Sequence, residues 1–118
     1  MYLPTHCTFR MTDIWRSFVA QRCLWELGYG VVFHPPEVIQ ERNLHNLMRD
    51  FQDEIPGYQH NEEIVRCLNE VKLKSGVESV HDNLLACYGR LVSRGFFPDA
   101  EMSLLRAWLA DLQKGRCI

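Results

Sequence analysis

Asp13 stands between two arginines, Arg10 and Arg16, in the run Phe9-Arg10-Met11-Thr12-Asp13-Ile14-Trp15-Arg16-Ser17-Phe18. A carboxylate within hydrogen-bond reach of a hydroxyl can take its proton as that oxygen attacks. Guanidinium forks match phosphate and carboxylate oxygens. This spacing could therefore support acid–base chemistry on a hydroxyl substrate, with Asp13 as base or hydrogen-bond acceptor and Arg10 and Arg16 clamping anionic oxygens. The plainer alternative is a first-turn acid that stabilises a helix by about 0.3–1 kcal/mol, beside two solvated or locally paired arginines. Spacing alone favours that alternative. Trp15 and Trp25, at helical spacing, read as core residues rather than sugar-stacking platforms.

His34 lies between a short apolar run and Pro35-Pro36, where the chain must turn. Strand ends in open α/β sheets are where ligands bind, so His34 is a candidate cleft-edge residue beside its ordinary structural role. The five histidines show no HExxH or HxH spacing, and the five cysteines no CxxC, so neither a metal site nor a disulfide framework is indicated. Most cysteines read as buried thiols, with Cys117 exposed near the end. Glu41-Arg42-Asn43-Leu44-His45 could be a binding loop or a solvated connection. There is no Gly-rich phosphate loop, no GxSxG and no Asp-x-Asp.

The elements that must position these residues are set by periodicity and punctuation. Residues 2–9 read as an extended edge segment around Pro4. Thr12 is a good N-cap for a helix to about Leu27, with Gly28 closing it. Val31-Val32-Phe33, bounded by Gly30 and Pro35, reads as a brief strand. A short helix over Leu44–Glu54 is stopped by Pro56-Gly57. A second helix is capped by Asn61 and runs to about Lys74, and a third begins at the loose capping box Ser79/Asp82 and ends at Gly95. Pro98 opens a final helix carrying Met102, Leu105, Trp108, Leu109 and Leu112. The expected fold class is α+β, mainly α: one or two short N-terminal strands followed by a helical C-terminal layer.

At 118 residues, with 47% apolar and 24% charged residues, the chain has ordinary globular composition and the length of one domain. A net charge of −2 argues against nucleic acid or an anionic membrane as the main partner. No apolar run approaches the roughly 18 residues of a membrane span, so the chain by itself is expected to be soluble. The opening Met1-Tyr2-Leu3-Pro4-Thr5-His6 lacks the basic and long apolar regions of a signal peptide and reads like the middle of a protein. Residues 1–118 are accordingly expected to form a single domain that is a fragment of a larger one.

The stretches FRMTDIWRSFVAQRCLWELG and VVFHPPEVIQERNLHNLMRDFQDE, with the helical tail to WLADL, resemble the C-terminal part of the STELLO-like family, from about Tyr2 to Leu112. These are glycosyltransferase-like proteins, membrane-anchored in the Golgi in plants, where they assist cellulose synthase assembly. Thr12-Asp13-Ile14-Trp15-Arg16 is more loosely similar to a patch in reversibly glycosylated plant polypeptides that act on UDP-sugars. The resemblance implies a GT-A-type frame, a Golgi location for the full-length protein, Asp13 as the acceptor-side acid, and a sugar or glycan acceptor. It also implies that nucleotide-sugar and divalent metal would need an upstream half that these residues do not contain. The expected function is an acceptor-side, C-terminal segment of a glycosyltransferase-like protein of the secretory pathway, inactive alone. The alternative is a non-catalytic assembly module that docks a protein partner through the helices between Asn61 and Gln113.

Overall fold

A computed structural model describes residues 1–115, a span that leaves Cys117 outside it. A 3-10 turn, Phe9–Met11, leads directly into helix α1, Thr12–Glu26. Helix α2 spans Leu47–Asn69, α3 Val80–Ser93 and α4 Asp99–Gly115, with a second 3-10 turn at Val77–Ser79. Helix α1 packs on α2 and α3, and α3 packs on α2 and α4.

The α+β expectation is overturned, and with it the strand-containing GT-A-type frame for this chain: among the described residues there is no strand. Residues 2–9 and Val31–Phe33 are not paired with any sheet. A strand needs a ladder partner for its backbone groups, and the helices, closing on one another, offer no free edge. Residues 29–46 form no regular element at all.

The core is built from i, i+4 stripes. Met11, Trp15, Val19 and Cys23 run down one side of the turn and α1; Ile64, Cys67 and Leu68 face them from α2. Helix α3 adds Leu84, Cys87, Tyr88 and Leu91, and α4 adds Leu105 and Leu109. Phe97 meets the Trp15 ring edge-on at 5.6 Å. Cys23 and Cys87 face each other at 4.0 Å between Sγ atoms, and the neighbouring thiol together with burial pushes Cys87 far above the usual thiol range. Cys67 is buried as well, so these three act as small apolar residues. Trp25, expected in the core, lies half exposed, two residues past Cys23 and off the buried stripe.

Two helix ends follow the glycine rule. At Gly28, with φ +79°, its N–H reaches the Trp25 carbonyl and the Tyr29 N–H reaches the Leu24 carbonyl. At Gly95, with φ +81°, the same pair of bonds runs from Gly95 to Val92 and from Phe96 to Leu91. Both are six-to-one closures that need a left-handed residue.

Pro56-Gly57 does not stop a helix; α2 runs through it. Proline has no N–H for the Gln52 carbonyl and costs about 3 kcal/mol in a helix interior. The neighbourhood offsets this. Thr8 Oγ1 donates to the Asp53 carbonyl at 2.5 Å, tying the turn before Pro56 to the N-terminal segment. Gly57 is buried against Met11; a Cβ there would sit 2.6 Å from the Met11 sulfur. The anticipated caps shift accordingly. Asn46 caps α2, its Oδ1 accepting from the N–H groups of Met48 and Arg49. Asn61 lies mid-helix and accepts from the Trp15 indole at 2.8 Å. Ser79 makes no capping bond, and Asp82 pairs with Lys74 instead.

One carboxylate ties the N-terminal segment to α4. Glu101 is 0% exposed. It accepts from the Tyr2 hydroxyl, from the Thr5 N–H at 3.0 Å, from the His6 N–H at 2.9 Å and from His6 Nδ1 at 2.7 Å. Burial would push its carboxyl up, but the donors from Tyr2, His6 and Thr5 outweigh burial and hold it below the ordinary glutamate range. Stability from this group is thus fully present above the unfolded value near 4.5 and is lost as pH falls through the lower folded value. Urea midpoints should fall as the solution is acidified below that point. Glu101→Gln, which removes the charge and sets an NH2 donor against donors in place of one acceptor oxygen, should cost about 2–4 kcal/mol at neutral pH and flatten the acid limb.

The Tyr88 hydroxyl is buried without a hydrogen-bond partner among the described residues. Tyr88→Phe should therefore be neutral or stabilising, within about 1 kcal/mol, whereas Tyr2→Phe should cost about 1–2 kcal/mol by urea melts at constant slope.

Candidate functional site

The 3-10 turn and α1 lie along one face of α2, and their contacts fall at helical spacing. Arg10 meets Asp50, Thr8 meets Asp53, Met11 meets Gly57, Trp15 meets Asn61, and Arg22 reaches the last carbonyls of α2. The Arg22 guanidinium donates to the carbonyls of Leu68 at 3.2 Å and Val71 at 2.9 Å and pairs with Glu26 at 3.1 Å. This fixes the register of α1 on α2 from end to end, and so fixes where Arg10 and Asp13 stand.

Thr12 is not the N-cap. The chain is already helical at Phe9, and Thr12 Oγ1 turns back to the Thr8 carbonyl at 3.4 Å. Asp13 remains in the first turn of α1 and is exposed. Beside it opens a cavity of about 410 Å³ lined by Leu3, Phe9, Arg10, Thr12, Asp13, Ile14 and Glu54. Phe9 is 85% exposed at its rim. Two carboxylates, one hydroxyl and three apolar side chains thus share one open concavity.

Arg10 is already engaged. Its Nη2 lies 2.6 Å from Asp50 Oδ2, with His45 Nδ1 at 3.5 Å from the same oxygen. The hydrogen bond to Asp50 raises Arg10, and the bond from Arg10 holds Asp50 below the ordinary carboxylate range. This pair also lines a second cavity, about 280 Å³, together with Arg42, Asn43, Leu44, His45 and Leu47. The polar cluster singled out in the sequence therefore sits against the Arg10–Asp50 pair.

Of the four expected site residues, Asp13 and Arg10 are brought together. Arg16 lies half-buried on α1 and His34 lies in the exposed stretch before α2; neither lines the cavity. Glu54 and Asp50 were missed. Their signal was weak: two acids one helical turn apart in a region read as a short helix. Glu101 was missed too, although an acid four residues before Leu105 on an apolar stripe is a readable anomaly.

Among the described residues, no group of three or more His, Cys, Asp or Glu could hold a metal ion, and no helix is long and apolar enough to cross a membrane.

Comparison with known proteins matches the model of the STELLO glycosyltransferases to residues 10–116. "Probable glycosyltransferase STELLO2" of Arabidopsis thaliana is 24% identical and "Probable glycosyltransferase STELLO1" of the same plant 27%, each over 95% of this chain. The chain spans 14% of the length of either relative. No solved structure matches.

The Arg10–Asp50 pair is open to a direct check. Asp50's folded value is depressed, so its contribution is present above the ordinary value near 3.8 and lost as pH falls through the folded one. Carboxyl NMR titration should place Asp50 below that ordinary value, and Arg10→Ala should return it there.

Proposed function

The chain belongs to the STELLO glycosyltransferase family, and from that premise we propose that it is the C-terminal, acceptor-side segment of a glycosyltransferase-like protein of the secretory pathway. The observation that carries this reading is the shared cavity of Asp13, Glu54, Thr12 and Phe9. Carboxylates and a hydroxyl take hydrogen bonds from sugar hydroxyls, and an exposed aromatic face takes the C–H face of a pyranose ring. In this proposal a glycan acceptor lies over Phe9 with one hydroxyl against Asp13. Asp13 accepts that hydroxyl's proton as the oxygen bonds to the anomeric carbon of a nucleotide-sugar and the nucleotide leaves.

Arg10 has a narrower part than its residue type suggests. With Asp50 neutralising it at 2.6 Å, it orders the rim of the cavity and does not serve as a free phosphate clamp. Nucleotide-sugar and a divalent metal belong, in this reading, to the larger part of such a protein, as does its Golgi membrane location. The isolated chain then transfers no sugar.

Asp13→Asn, made in a family member that carries a donor half, should lower the rate of UDP-sugar-dependent transfer by about 10²-fold or more with little change in fold. Unchanged transfer would rule out the base role. Calorimetry on the isolated chain should show no UDP-sugar binding at millimolar concentration, and clear binding there would overturn its assignment to the acceptor side.

A further inference from the structure

Two nucleophilic side chains meet in the core, where packing needs only their volume. Cys23 of α1 and Cys87 of α3 are both buried, and their sulfurs are in contact at 4.0 Å. As thiols they fill space like small apolar residues. As sulfurs in contact they also stand close to a covalent bond. A disulfide closes at about 2 Å between sulfurs, so a shift of about 1 Å by each brings them there. The half-buried Cys7 turns elsewhere, to the Thr12 hydroxyl at 3.5 Å and the Pro4 carbonyl.

The two sulfurs are not equivalent. The bond from the Cys87 thiol holds Cys23 below the usual thiol range against the push of burial, and the neighbouring Arg22 guanidinium adds to it. Cys87 is driven the other way by the same bond and by burial. The thiolate is the attacking species in thiol–disulfide exchange, so Cys23 is the first nucleophile of the pair and Cys87 the resolving one.

The pair also lies across the loosest connection in the fold. Every residue from Gly28 to Arg49 is exposed, with Val31, Val32, Phe33, Val38 and Ile39 open to solvent among them. Among the described residues no backbone hydrogen bond holds residues 30–44. Helix α1 is therefore kept on the bundle by its side-chain contacts and not by a short connection to α2. Cys23 and Cys87 are 64 positions apart, and the ring they would close encloses that open stretch and all of α2. A bond around a long segment removes much freedom from the unfolded chain.

We propose that Cys23 and Cys87 are a dithiol that oxidises to a disulfide stapling α1 to α3, by exchange with a low-molecular-weight disulfide such as oxidised glutathione. The Cys23 thiolate attacks one sulfur of the oxidant and expels one thiolate, leaving a mixed disulfide on Cys23. The Cys87 thiol gives its proton to the released thiolate, attacks the Cys23 sulfur and expels the second thiolate. Two protein thiols are oxidised and one disulfide is reduced to two thiols. Because both sulfurs are buried, exchange takes place as α1 lifts from α3, and the closed bond is then shielded from reductant. The secretory pathway of the reading above holds such an oxidant, but the exchange depends on the two thiols alone.

The test equilibrates the 118-residue chain in glutathione buffers from reducing to oxidising, alkylates free thiols in denaturant and maps unreduced peptides by mass spectrometry. The main product should be a Cys23–Cys87 cross-linked peptide pair two hydrogens lighter than its parts. The oxidised chain should melt several degrees above the reduced one. Cys23→Ala and Cys87→Ala should each abolish the cross-link and the rise, whereas Cys7→Ser and Cys117→Ser should keep both. Each variant is compared with itself, oxidised against reduced, so that any loss of core packing cancels. The proposal is overturned if Cys23 and Cys87 remain alkylatable in the most oxidising buffer, or end as mixed disulfides with glutathione. Cross-links of either one to Cys7, Cys67 or Cys117 as the main product would overturn it too, as would an oxidised chain that melts no higher than the reduced one.

Discussion

The buried Glu101 carboxylate is the constraint on which the arrangement depends. Four donors converge on it from Tyr2, Thr5 and His6, and all four belong to the segment that enters the 3-10 turn. A buried carboxylate without partners would be costly. The N-terminal residues therefore have one place to lie, across α4, and Tyr2 fits there edge-on to Tyr88 and Trp108. From that anchor the chain reaches Thr8 and Arg10 with little freedom left. An ionised Glu101 also fixes the proton of His6 on Nδ1, leaving the ring in one orientation.

The second organising feature is the seam between the turn with α1 and the face of α2. It is made of unlike contacts: an ion pair, a hydroxyl on a carbonyl, a methionine over a glycine, an indole on an amide, and a guanidinium on helix-end carbonyls. No one of them is interchangeable with its neighbours, so a slip of α1 by one turn would mismatch every pair. A cavity shared by residues of α1 and α2 keeps its shape only if such a slip is forbidden. The seam keeps that cavity intact: Asp13 and Glu54 come from different helices and line one space.

Much of the helical framework was legible in the sequence. The apolar spacing of α1, α3 and α4, and the closures at Gly28 and Gly95, obey local rules that tertiary structure leaves in force. The misreadings share a cause. Pro56-Gly57 is a sound local stop signal, overridden by contacts from far away in sequence, Thr8 on the Asp53 carbonyl and Met11 over Gly57, that hold the helix on both sides of it. Val31–Phe33 has the composition of a strand, but a strand is a property of a pair and its partner is not among these helices. The site was legible to the same degree. Asp13 and Arg10 share a motif and share a cavity; Glu54 joins them only through the crossing of α1 and α2, which no motif encodes. Arg16, one helical turn beyond Asp13, lies half-buried and outside the cavity.

The open stretch before α2 has a cost of its own. Free ladders of β-branched and aromatic residues are the templates from which chains of one kind stack on one another. Here Pro35-Pro36 interrupts the run after Phe33 and His34, and Glu37, Glu41 and Arg42 place charge on the residues beyond it. Two prolines without N–H groups confine any intermolecular ladder to a short strand with few backbone hydrogen bonds per chain. The same residues are placed as gatekeepers beside an exposed apolar run, the arrangement that lowers a segment's tendency to aggregate.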